Sequence, residues 1–348
     1  MKKEKFFFDD IFEDWTKLGK KILKSKYLVD GKYPVIDQGK NKIAGFINEE
    51  KKLFLEIPVI IFGDHTRILK FIDFPFFLGA DGVKILKNKR KNFLDKYLYY
   101  ALKYFKIPDT GYNRHFKWLK DFFVIDLEIE KQEKVIGVLD EIQKILKSKK
   151  EQLSEFEKLS KCLFFEMVKN SRKVLLAEVA EINMGQSPDS LFYNSEKKGI
   201  PFFQGKTEFG ENYIKEIKYY CSSPIKIAEE NSILMSVRAP VGTVNITDVK
   251  CCIGRGLASI KNKNIDMLYL FYALKNIEKE IEKKGVGSTF KAITKKVIEK
   301  IEIPVVSLEE QNKFAERIKL IEKSKFEIQQ SIDETQKLYD SLMEKYFG

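Results

Sequence analysis

Residues 135–167, VIGVLDEIQKILKSKKEQLSEFEKLSKCLFFEM, and residues 314–346, FAERIKLIEKSKFEIQQSIDETQKLYDSLMEKY, carry the pattern on which the fold turns. In the first, Val135, Leu139, Ile142, Leu146, Leu153, Phe156, Leu163 and Met167 keep a spacing of three, four or seven. In the second, Phe314, Ile318, Ile321, Ile328, Ile332, Tyr339, Leu342 and Tyr346 do the same, and a shift of 179 takes 135 to 314, 142 to 321 and 163 to 342. Lys149 and Lys325 each interrupt one stripe where the other has Ile328 or Leu146. A seven-residue apolar period of this length predicts coiled-coil-like helices, each about 50 Å long at roughly 1.5 Å per residue. Ordinary amphipathic core helices are the alternative, and the Glu/Lys-rich outer faces and shared register weigh against them.

Working outward from these helices, the chain before the first is restated before the second. PVIDQGK (34–40) answers PFFQGK (201–206), which places Gln38 and Gln204 166 residues apart. FFLGADGVKIL (76–86) answers CCIGRGLASI (251–260), with Gly82 and Gly256 174 apart. YLYYALK (97–103) answers YLFYALK (269–275), and Phe116-Lys117 pairs with Phe290-Lys291. Such repeats fix an architecture before any single element does. The order is globular, long helix, globular, long helix: residues 1–127, 128–170, 171–306 and 307–348. Strand-like runs such as IPVIIFG (57–63) and SILMSVRAPVG (232–242), each followed by a short helix at 95–106 or 265–284, make the globular parts mixed. The predicted class is α+β, with two similar modules, two long antiparallel helices and a pseudo-two-fold internal repeat.

Composition narrows the partner. Lys+Arg 63 against Asp+Glu 51 gives a formal net charge of +12, which favours nucleic acid or an anionic membrane surface. No stretch approaches the roughly 18 uncharged apolar residues of a membrane span, and MKKEKFFFDD has charge on both sides of a short apolar run, unlike a signal peptide. A soluble, cytoplasmic chain with no membrane partner is expected. Cys162, Cys221, Cys251 and Cys252 form no C-x-x-C pair and read as reduced, buried thiols.

Polar loops recur at matched positions. Gln38, Lys40 and Asn41 correspond to Gln204, Lys206 and Thr207, each set beside a Gly. Gln and Asn can pair bidentately with adenine, and Lys or Arg with guanine or phosphate. His65, Thr66 and Arg67 lie where the second half has Arg238; Asn113, Arg114 and Lys117 lie opposite Ser288, Thr289 and Lys291. Gln186, Ser187 and Arg255 complete the candidate DNA-binding set, and solvated turns are the structural alternative for each. Two heads with different loops suit an asymmetric, two-part DNA target. A two-headed protein-interaction scaffold without DNA specificity fits the repeat alone.

No catalytic constellation emerges. The chain has no Pro-Pro dipeptide for an adenine-methyltransferase loop, no P-loop and no dinucleotide fingerprint. His65 and His115 are its only histidines and lack a ligand cluster, so no metal site is expected. Pro188-Asp189 with Glu196-Lys197-Lys198 fits a loose nuclease spacing, which a chain so rich in Glu and Lys produces by chance.

The patterns IIFGDHTR (60–67), FLGADGVKIL (77–86), SILMSVRAPVG (232–242), CCIGRGLASI (251–260) and GSTFKAIT (287–294) resemble target-recognition domains of type I restriction-modification specificity subunits. VIDLEIEKQEKVIGVL (124–139) and IPVVSLEEQNKFAERI (303–318) resemble the segments opening that family's spacer helices. LAEVAEINMGQSP (176–188) resembles a domain opening, for which the first half offers only the degenerate DWTKLGKKIL (14–23). The resemblance implies a non-catalytic subunit that binds double-stranded DNA, two modification subunits and restriction subunits. It implies no cofactor on this chain, with S-adenosylmethionine, ATP and Mg on the partners, and paired helices acting as a ruler between two half-sites. On that basis, inserting one heptad into both long helices is expected to change the unread gap and leave the half-sites intact. Mapping the recognised sequence before and after insertion checks it; altered half-sites with an unchanged gap would refute the ruler.

Overall fold

The computed structural model describes residues 4–49, 52–79, 82–285 and 292–348. The two long helices are continuous over Ile129–Val168 and Leu308–Phe347, 40 residues each. The chain divides into two units, residues 1–150 with 330–348, and residues 151–329. Each unit therefore holds one globular module, the start of one long helix and the end of the other.

The modules share a frame. In the first unit a four-stranded antiparallel sheet has the order Phe12–Asp14, Val83–Asn88, Val59–Gly63, Leu69–Ile72. In the second the order is Ala180–Met184, Leu257–Asn262, Ser232–Ser236, Val244–Thr247. Strands Val59–Gly63 and Ser232–Ser236 are wholly buried, which accounts for their near-continuous apolar runs. The short helices Asp95–Tyr104 and Met267–Asn276 cover the equivalent outer strands, Leu69–Ile72 and Val244–Thr247. A second sheet in each unit pairs Tyr33–Ile36 with Phe77–Gly79, or Ile200–Phe203 with Cys251–Ile253, in parallel. Outside that shared pair the sheets diverge: Lys21–Ile22 joins Phe77–Gly79 in parallel, whereas Ile227–Ala228 joins Cys251–Ile253 antiparallel.

The opening of the first module differs from the sequence expectation. Strand Lys5–Phe7 pairs with Phe123–Ile125 as Arg172–Leu175 pairs with Glu302–Val305. One-turn helices Phe8–Ile11 and Leu176–Val179 follow. Each is capped by an acidic side chain, Asp10 Oδ2 accepting from Phe7 N at 3.0 Å and Glu178 Oε1 from Leu175 N at 2.9 Å. The counterpart of LAEVAEI is thus FDDIFED (8–14), not DWTKLGKKIL. An acidic residue two places after the first apolar one is the retained signal, and aromatic substitution at Phe8 and Phe12 disguises it. The cysteine expectation is also corrected: Cys221, Cys251 and Cys252 are buried, but Cys162 is exposed, because it lies off the apolar stripe of its helix. Burial pushes the Cys251 thiol up to about 12 and that of Cys252 up to about 11.

Within each unit the helix segments run antiparallel. In the first, Gln143 Nε2 donates to Tyr339 Oη at 3.0 Å, and about two turns further Lys149 Nζ donates to Ser331 Oγ, so the numbers rise on one helix as they fall on the other. In the second, the Phe164 ring meets that of Phe314 edge-on at 5.7 Å, and Phe314, Ile318 and Ile321 are buried. Lys149 and Lys325 interrupt the apolar stripes as the sequence indicates, and both are partnered: Lys325 pairs with Glu211 and stands 3.5 Å from Glu322.

Two buried glutamines fasten helix starts to modules. Gln132 Nε2 donates to the Asn92 and Leu127 carbonyls at 2.7 and 2.6 Å, and its Oε1 accepts from Leu94 N at 2.9 Å. Gln311, 179 residues later, donates to the Val306 carbonyl and accepts from Asp266 N, both at 2.9 Å. Removing the amide strands buried backbone groups without partners, so Gln132→Ala and Gln311→Ala are each expected to cost about 2–4 kcal/mol. Urea denaturation of the full chain checks this.

Candidate nucleic-acid interface

In the first unit the loops between strands converge beside Gly82. Gly82 has φ +80°, and a Cβ there would lie 2.7 Å from both Gln38 Nε2 and His65 Cδ2, so only glycine admits this approach. Asp64 N donates to the Gly82 carbonyl at 2.7 Å. Gln38 Oε1 accepts from His65 N at 3.2 Å, and Thr66 Oγ1 donates to the Gln38 carbonyl at 2.7 Å. Gln38, His65, Thr66 and Arg67 therefore form one cluster, with Lys40 and Asn41 exposed on the same loop as Gln38.

The segment 109–117 joins it through hydrogen bonds and a ring contact. Arg67 Nη2 donates to Asp109 Oδ2 at 2.7 Å. The Asp109 carboxyl is held below its usual pKa by the Gly111 N–H first and by Arg67 second. His115 is fully buried, its N donating to the Asp64 carbonyl at 2.8 Å and its Nδ1 lying 3.0 Å from the same oxygen. Asn113 and Arg114 are exposed between these anchors; Lys117 is exposed on the turn that follows, with its ammonium 5.1 Å from the Trp118 ring centroid. Sequence reasoning missed Tyr112. It is 86% exposed, yet its ring stacks on that of His65 at 4.8 Å and 11°. An aromatic between Gly111 and the Asn-Arg pair was the available signal.

The second unit repeats the plan. Gly256 N donates to the Gln204 carbonyl at 3.2 Å, and a Cβ on Gly256 would lie 2.4 Å from that oxygen. Val237 N donates to the Gly256 carbonyl at 2.9 Å, as Asp64 N does to Gly82. Gln186 N donates to the Ile253 carbonyl at 3.0 Å, and Ser187 Oγ accepts from Arg255 N at 3.2 Å. Gln186, Gln204, Arg255 and Arg238 are thus brought to one place with their side chains exposed. Lys206 and Thr207 are exposed in a turn closed by Phe209 N donating to the Lys206 carbonyl at 3.0 Å.

Ser288, Thr289 and Lys291 lie outside the described residues. Their neighbour Ala292 bridges to Arg238, and Ile293 N donates to the Val237 carbonyl at 3.0 Å. That bond is the counterpart of His115 N on Asp64, which aligns 115 with 293. The frame thus matches Lys117 with Lys295, at an offset of 178 in place of the 174 that Phe-Lys suggested. Sequence identity at Phe-Lys misled because the segment between the short helix and this point is six residues longer in the second unit, the offset rising from 172 at Asp95/Met267 to 178 at His115/Ile293.

The nuclease-like spacing is resolved into turn chemistry. Asp189 Oδ1 accepts from Leu191 N at 3.1 Å, capping a short turn, and Glu196 pairs with Lys198 at 2.6 Å on an exposed loop. Among the described residues no group of three or more His, Cys, Asp or Glu is placed to hold a metal ion, and no helix is long and apolar enough to cross a membrane.

Two heads on a duplicated frame, each presenting amide and cationic side chains from glycine-pinned loops, define a two-part recognition subunit. Comparison with known proteins is specific. Residues 169–336 match the type I restriction modification DNA specificity domain. The putative type I restriction enzyme MjaX specificity subunit of Methanocaldococcus jannaschii is 35% identical over 282 residues, 71% of this chain and 66% of that subunit. The EcoR124I/EcoR124II specificity subunit of Escherichia coli is 25% identical over 88% of this chain and 86% of its own. The S subunit of a type I system from M. genitalium has the same fold, with a TM-score of 0.66 at 19% identity over 99% of this chain and 96% of that one. A chain from a study of complex assembly and conformational transition in the type I R-M system gives 0.62 at 24% identity, over 99% of this chain and 97% of that one. The chain belongs to the family of type I restriction-modification specificity subunits.

Gly82→Ala is expected to destabilise the first unit by about 1–3 kcal/mol through backbone strain alone, and to displace Gln38 and His65. A chemical-denaturation curve reads the first effect, and amide exchange at His65 and Thr66 the second; wild-type protection at both would contradict the glycine-pinned geometry.

Proposed function

We propose that this chain is the DNA-reading subunit of a type I restriction-modification assembly, and that each loop cluster reads one half of a split, asymmetric sequence. The observation that carries this reading is one frame bearing different side chains: exposed Lys40, Asn41 and Arg114 with half-buried Gln38 and Arg67 in one unit, and exposed Gln186, Gln204, Lys206, Arg238 and Arg255 in the other. Amides suit adenine and cations suit guanine or phosphate, and the net charge of +12 favours a polyanion. The chain supplies no catalytic group of its own. Modification subunits would bring S-adenosylmethionine and methylate adenine, and restriction subunits would bring ATP and Mg; both classes of partner are inferred from the family.

Gln204 and Gln38 divide the work differently. Gln204 is exposed, so its amide is open to a base edge, while the Gln38 oxygen already accepts from His65 N and also shapes the loop. Co-expression with modification subunits, followed by long-read mapping of methylated adenines, is expected to give one split motif. Gln204→Ala should lower modification through the second half-site roughly tenfold or more, the equivalent of one bidentate base contact. A stable complex without any motif would leave the chain a docking scaffold, and this reading would fail.

A further inference from the structure

The loop clusters owe their shapes to what stands behind them. Ile61 pairs with Lys70 across the central sheet of the first unit, and Leu234 pairs with Asn245 in the second. Counted from the two matched central strands, Lys70 and Asn245 occupy the same position of the duplicated frame. Both are polar and buried, at 5% and 0% exposure. A polar group so placed costs free energy unless it finds partners, and each side chain donates to backbone carbonyls in the loops ahead.

Lys70 Nζ donates to the carbonyls of Asp37 and Asn41, each at 2.6 Å, and lies 3.6 Å from the Asp37 carboxylate. It thereby ties together the two ends of the segment that presents Gln38, Lys40 and Asn41. Burial lowers the pKa of this ammonium, with Asp37 opposing. Asn245 Nδ2 reaches only one carbonyl, that of Gly210 at 3.2 Å, and its Oδ1 has no partner among the described residues. Gly210 ends the stretch that begins at Gln204, and its own N–H closes a turn on the Tyr213 carbonyl at 3.0 Å. An ammonium has three donors and can close a loop on itself; an amide has two and here grips a longer hairpin at one point.

We propose that Lys70 and Asn245 are positioning residues for base selection: the side chain at this one frame position decides how the loop in front is held, and so which half-site each unit accepts. The inference rests on the DNA-reading function proposed above. Neither residue reaches the exposed loop surface, so each acts through the backbone it grips and not by touching a base.

The test uses the full chain co-expressed with modification subunits and reads methylated adenines genome-wide for wild type, Lys70→Met and Asn245→Ala. Gln204→Ala identifies which half-site belongs to the second unit. Lys70→Met is expected to admit at least one further base in the first half-site, or to reduce its use tenfold, with the second half-site unchanged. Asn245→Ala is expected to do the reverse. Should Lys70→Met fail to assemble, Lys70→Gln, which keeps an amide donor, decides by the same criterion. A folded variant that reproduces the wild-type motif and occupancy, or one that degrades both half-sites equally, overturns the inference. A wild type that marks no motif at all instead brings down the reading beneath it.

Discussion

Each long helix carries an apolar stripe that its own module covers only in part. Val135, Leu139, Ile142 and Leu146 are buried in one unit, together with Ile332, Tyr339 and Met343 from the end of the other helix. In the second unit Phe164 plays the corresponding part beside Phe314, Ile318 and Ile321. Neither unit is complete on the residues of a single stretch of sequence, and this constraint organises the rest. It explains why the two helices share a register, since each must present the same stripe to equivalent surroundings. It also explains why Lys149 and Lys325 are tolerated: a lysine in a stripe needs a local acceptor, and Ser331 and Glu211 supply one.

The glutamines at the helix starts convert that constraint into position. Gln132 and Gln311 bond backbone groups at the start of a short helix and just before the long one, so a helix that pairs correctly also seats its module correctly. A hydrophobic stripe alone leaves sliding freedom, because neighbouring apolar residues are energetically similar. Buried amides remove it, since a shift of one residue strands their partners. Polar groups thereby contribute specificity where apolar area contributes most of the stability.

Much of this was legible in the sequence because it is periodic or repeated. The 179-residue register located both helices, and the Gln-Gly and Gly-containing matches located the loop clusters. What escaped was whatever depends on hydrogen bonding across sequence distance. The true opening, FDDIFED, hides because Phe8 and Phe12 replace Leu176 and Ala180 while the backbone bonds stay the same, Phe8 N on the Phe122 carbonyl at 3.0 Å and Leu176 N on that of Ile301 at 2.8 Å. Matching Phe116-Lys117 to Phe290-Lys291 followed residue identity, whereas the frame follows the main-chain bonds of His115 and Ile293. Tyr112 was invisible because its partner, His65, is 47 residues away and its stacking has no sequence period.

The same contrast bears on how a duplicated chain acquires two specificities. Strand order and register are held in common by buried apolar residues, where substitutions are costly on both faces of the sheet. Loops are free to vary only if the frame behind them is indifferent to the change. Position 70/245 is where that indifference ends, because a buried polar side chain there must match the backbone carbonyls in front of it. Divergence of the loops and divergence of this inner residue are therefore linked: a longer second loop presents Gly210 to an amide, and a shorter first loop presents two carbonyls to an ammonium. A loop transplanted without its inner partner would leave one unsatisfied buried group for every lost bond, at roughly 1–3 kcal/mol each. The shape of each loop cluster thus depends on a residue one layer below its exposed surface.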